Sequence, residues 1–71
     1  MKTLKGIAEM DQFNISMRKF LKEVGVTSQQ AIEDAVREHN LAGKGKLKVK
    51  MLLTSETADL NHVVEGEIEL P

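Results

Sequence analysis

Seventy-one residues allow one small domain, close to the size below which a single hydrophobic core no longer sustains a fold unaided. The chain has no cysteine, which excludes disulfides and thiolate metal sites, and Phe13 and Phe20 are its only aromatic residues, few platforms for stacking single-stranded nucleic acid. The net charge of −1 hides an uneven placement: residues 1–50 hold all ten Lys and Arg against six acids, a net of +4, whereas residues 51–71 hold five acids and no base, a net of −5.

The N-terminal stretch MKTLKGIAEMDQ lacks the unbroken apolar run of a signal peptide, and no segment is apolar enough to span a bilayer. A cytoplasmic protein without a membrane role is the expectation. Residues 1–10 stand apart as an N-terminal segment: Leu4, Ile7 and Ala8 either extend the first helix, form a separate turn, fray into disorder, or complete a sheet edge.

Phe13, Met17, Phe20, Leu21 and Val24 fall on a single helical stripe, with Lys19, Lys22 and Glu23 off it. This predicts a helix over 11–24, started by Asp11 or Asn14 and stopped by Gly25 in the left-handed position. A second start signal follows at once. Thr27 and Gln30 match the capping box, and Val26 with Ala31 match the hydrophobic staple. Ile32, Ala35, Val36 and His39 then share a face, up to a stop at Gly43. As an N-cap, Thr27 is worth about 1 kcal/mol.

After GKGK the period becomes two. Leu47, Val49, Met51 and Leu53 alternate with Lys46, Lys48 and Lys50; Val64, Ile68 and Leu70 alternate with Glu65, Glu67 and Glu69. Paired antiparallel, the strands set three lysines opposite three glutamates, each pair contributing roughly 0.2–1 kcal/mol. A one-residue slip would bury those charges, so the pattern specifies which face is apolar. Gly66 falls on the inner face, where a helix or a bulge would approach closely. The loop TSETADLN is long for a hairpin, with Leu60 tucked back.

The expected architecture is therefore α+β over residues 11–71: two amphipathic helices on one face of an antiparallel hairpin, in ααββ order and two layers. The tail of a winged helix has the same order, and RKFLKEVGVTSQQAIEDAVREH reads like a helix-turn-helix. Its charges argue against DNA. Residues 28–42 carry Glu33, Asp34 and Glu38 against Arg37, and the would-be wing holds Glu56 and Asp59.

NISMRKFLKEVGVTSQQAIEDAVRE together with HVVEGEIEL resembles a family of small bacterial proteins catalogued as a domain of unknown function. The likeness spans Asn14 to Leu70. It implies a small stand-alone α+β protein and brings no activity or functional residue with it.

No residue group reads as a catalytic, cofactor or metal site. His39 and His62 would need converging partners, and Glu38 and Glu65 are near only in sequence. Ser16 and Thr27 lack the elbow, glycine loop or base that would activate a nucleophile. Glu65, Glu67 and Glu69 could hold calcium but are better paired with the lysines. Met17 and Met51 fall on core positions rather than on an adaptable binding surface. The reading that follows is a non-enzymatic protein-interaction module with an exposed hairpin edge, its partner an unidentified protein or a second copy. Alternatives are a winged-helix-like DNA-binding protein with weak electrostatics, and a small accessory subunit of an enzyme.

Overall fold

The computed structural model describes the backbone of residues 2–71 and the side chains of residues 11–71. Its element order is α1 (Lys2–Glu38), β1 (Lys46–Thr54) and β2 (Asn61–Glu69), an α+β chain. It divides into two compact units, Met1–Asp34 and Ala35–Pro71.

One helix stands where two were expected. The backbone passes through Gly25-Val26-Thr27 without a turn, and the residues proposed as caps lie inside the helix. Gly25 is not among the residues with positive φ. Thr27 does not cap: its Oγ1 donates to the Glu23 carbonyl at 2.7 Å, the back-bond of a mid-helix threonine. Gln30 does not reach back either. Its Nε2 donates forward to Asp34 Oδ1 at 3.1 Å, as Gln29 Nε2 does to Glu33 Oε1 at 3.2 Å. Such pairs each stabilise a helix by about 0.2–0.5 kcal/mol. The apolar phase explains the continuity. Val24, Ser28, Ala31 and Ala35 continue the Phe13–Val24 stripe at spacings of four, three and four. A mid-helix glycine costs only about 1 kcal/mol against alanine, less than a break in that stripe. The backbone of residues 2–10 belongs to the same helix, so residues 2–8 form neither a separate turn nor an edge strand.

The helix stops at Asn40, three residues before the glycine expected to end it. Asn40 takes the left-handed conformation at φ 51°. Leu41 N donates to the Val36 carbonyl at 3.0 Å and Asn40 N to the Arg37 carbonyl at 3.3 Å, the bond pair of a Schellman motif. Leu41 and Val36, which that motif brings together, are both half-buried. Gly43 and Gly45 serve the connection to β1, with φ of 78° and 100° that side chains rarely adopt. The chain end closes on them: Gly43 N donates to the Pro71 carbonyl at 2.6 Å and Leu70 N to the Gly45 carbonyl at 2.9 Å.

In the second unit the hairpin is antiparallel, with Lys46 opposite Glu69, Lys48 opposite Glu67 and Lys50 opposite Glu65. The 55–60 loop is ordered by Ser55, whose Oγ accepts from Thr57 N at 3.1 Å and Ala58 N at 3.4 Å. Leu60 is not tucked back but 43% exposed. Leu47, Val49, Leu53, Ile68 and Leu70 are half-buried, as the alternation requires. No residue among 11–71 is fully buried.

Two substitutions test the single helix. Gly25→Ala should raise stability by about 1 kcal/mol and Thr27→Ala by roughly half that, in proportion to helix propensity. A Cβ at residue 25 would meet nothing within 4 Å. Urea denaturation checks both, and a loss of about 1 kcal/mol for Thr27→Ala would restore the N-cap.

Candidate functional site

Ser16 Oγ donates to the Phe13 carbonyl at 3.1 Å and Thr27 to Glu23, so both hydroxyls have local structural roles. His39 lies just past the end of α1 and is exposed, rather than on an inner stripe. His62 is exposed on β2 opposite Leu53. Glu65, Glu67 and Glu69 face the lysine row instead of converging, and no group of three ligating side chains among the described residues could hold a metal ion. A depression of about 400 Å³ on the hairpin is lined by Lys48, Val49, Lys50, Glu65, Gly66 and Glu67. Its walls alternate in sign, so neither an anion nor a cation finds a uniform field there. Gly66 pairs with Val49 without a bulge, and a Cβ on it would meet nothing within 4 Å, so no close approach accounts for the glycine.

What the structure does present is apolar surface. On α1, Phe13 is 53% exposed and Phe20 52%, with Met17 and Leu21 beside them on the stripe. On the hairpin, the charged alternation stops halfway. Leu52 and Val63 pair across the strands at positions where Lys50–Glu65 would lead one to expect another charged pair, and they are 61% and 44% exposed. Met51 and Val64 pair on the opposite face and are also exposed. The half of the hairpin nearest the loop is thus apolar on both faces, and residues 51–54 and 61–64 carry no Lys, Arg, Asp or Glu. The doublets Leu52-Leu53 and Val63-Val64 are the signal for this, because adjacent apolar residues in a strand must point to opposite faces. Alternation alone passes over them.

The sheet has two strands among the described residues, so each has one unpaired edge. No helix among the described residues is long and apolar enough to cross a membrane. The helix-turn-helix that raised the DNA reading is absent, since α1 runs through its turn.

The chain belongs to the family of unknown function DUF6494. The family's profile matches residues 8–71, which takes in nearly all of α1 and the whole hairpin, and extends past the segments that carried the resemblance in the sequence. Membership in DUF6494 brings no assigned activity. No curated protein and no solved structure matches the chain.

The lysine–glutamate ladder predicts a charge-swap result. Lys48→Glu should destabilise the hairpin by setting like charges opposite Glu67, and Lys48→Glu with Glu67→Lys should recover most of the loss. A double-mutant cycle on amide exchange of β1 and β2 should give a coupling of about 0.2–1 kcal/mol. Strict additivity would remove the ladder from the account of what sets the hairpin's faces.

Proposed function

We propose that the chain is a non-enzymatic protein-interaction module that accepts a strand from a partner protein on the free edge of its hairpin. The observation that carries this reading is the hairpin's outer half: two unpaired strand edges, flanked on both faces by exposed apolar pairs, Leu52–Val63 and Met51–Val64. Main-chain groups of an edge strand supply affinity for an added strand, and alternate side chains supply the choice of partner. Two strands alone are marginal in water, so a third would stabilise the module it joins.

The charges select the kind of strand. A partner on the β1 edge meets Lys46, Lys48 and Lys50 and fits with acids at alternate positions. A partner on the β2 edge meets Glu65, Glu67 and Glu69 and fits with bases. Two hairpins pairing like edge to like edge at mid-strand would set lysine against lysine or glutamate against glutamate, which disfavours that contact. The uncharged outer half is free of this penalty. The hydroxyls of Ser16 and Thr27, the candidate nucleophiles, are engaged in local hydrogen bonds, which supports a non-enzymatic role.

The test is capture from lysate with and without nuclease, run for the natural chain and for Leu52→Thr with Val63→Thr. Threonine keeps the strand propensity and removes the apolar pair. A protein captured by the natural chain, lost with the double variant, and slowing amide exchange along β1 or β2 when added back is the expected result. A footprint confined to α1 contradicts the proposal. Nuclease-sensitive recovery of DNA would favour the nucleic-acid reading instead.

A further inference from the structure

The apolar stripe of α1 calls for an occupant of its own. Phe13, Met17, Phe20 and Leu21 stand exposed along it, at 53%, 39%, 52% and 52%, and a packed apolar face is what stabilises a helix in water.

We propose that the helix pairs with a second copy of itself, antiparallel and centred on Val24. The identity of the occupant follows from the residue order along the stripe. In an antiparallel pair centred there, residue i faces residue 48 − i of the other copy. Phe13 then faces Ala35, Met17 faces Ala31, Phe20 faces Ser28, and Val24 faces Val24. Phe13, Met17 and Phe20 each meet a small residue from the C-terminal half, which is how facing helix surfaces interdigitate. A parallel pair would set phenylalanine on phenylalanine and alanine on alanine, crowded at one end and hollow at the other.

Charge chooses the same orientation. Residues 11–22 carry Arg18, Lys19 and Lys22 against Asp11, a net of +2, and residues 23–38 carry Glu23, Glu33, Asp34 and Glu38 against Arg37, a net of −3. Antiparallel copies lay the basic half of each along the acidic half of the other, and their helix dipoles oppose as well. The two-fold axis makes the contact self-complementary, so assembly closes at two. The pairing goes beyond the hairpin proposal and does not depend on it, since it uses α1 and leaves both strand edges free.

Two measurements on the full chain test it. Because the chain has no cysteine, Gln12→Cys gives a single spin-labelling site. In the proposed dimer the two labels lie about 36 Å apart along the axis at 1.5 Å per residue, whereas parallel helices would hold them within about 20 Å. Sedimentation equilibrium should show a dimer. Met17→Ala and Ala31→Met should each weaken it about tenfold or more, one by a cavity and the other by overpacking. The two together should return it to near the natural affinity, since position 17 faces position 31. Alanine and methionine are both strong helix formers, so neither change disturbs the helix itself. A monomer at about 0.2 mM, where even weak pairing is populated, overturns the proposal. So does a short label distance, or a double variant no better than the singles. None of those results touches strand addition at the hairpin, which the capture and exchange experiments decide separately.

Discussion

The organising constraint is the burial of apolar surface, because that term outweighs the others in holding small folds together. Along α1 the stripe from Phe13 to Ala35 keeps one phase for its whole length, yet Phe13 and Phe20 remain about half exposed. A helix in water draws most of its stability from packing such a face rather than from propensity. The local devices found here, the Gln29–Glu33 and Gln30–Asp34 bonds and the Asn40 terminator, contribute tenths of a kcal/mol to about 1 kcal/mol each. They shape the helix and place its end. They do not substitute for a packed stripe.

The hairpin unit meets the same constraint differently. Its half-buried side, including Leu47, Val49, Ile68 and Leu70, is backed by a face where lysines stand opposite glutamates. The chain end is tied to the Gly43–Gly45 connection by two backbone bonds, which close the base of the hairpin. Toward the loop that protection ends, and Leu52, Val63, Met51 and Val64 are exposed. The backbone closure thus lies at the base of the hairpin and the exposed apolar surface toward its tip.

Much of this was legible in the residues, and the misreadings share a cause. The strand register followed from alternation because a slip of one residue would turn the three like charges of one strand onto the apolar side. The α+β class followed with it. The division into two helices fails because Gly25, Thr27 and Gln30 are local signals, and none of them reports the phase of the stripe across them. Val24 to Ser28 to Ala31 shows no phase change, and that long-range regularity outweighs a glycine costing about 1 kcal/mol. Asn40 and Gly43 both tolerate the left-handed conformation, and only the backbone geometry shows which of them ends the helix. Of the candidate surface, the exposed edges were legible, whereas the Leu52–Val63 pair needed attention to doublets rather than to alternation.

The proposed pairing completes the stripe of α1 with another molecule of the same chain and leaves the hairpin to the proposed strand addition. Stability should then depend on concentration, since mass action favours the folded dimer over unfolded monomers. The direct measurement is the urea midpoint of helicity over about two decades of protein concentration. A midpoint that climbs steadily with concentration is the predicted result; one that stays constant, with helicity intact in the most dilute sample, would contradict it.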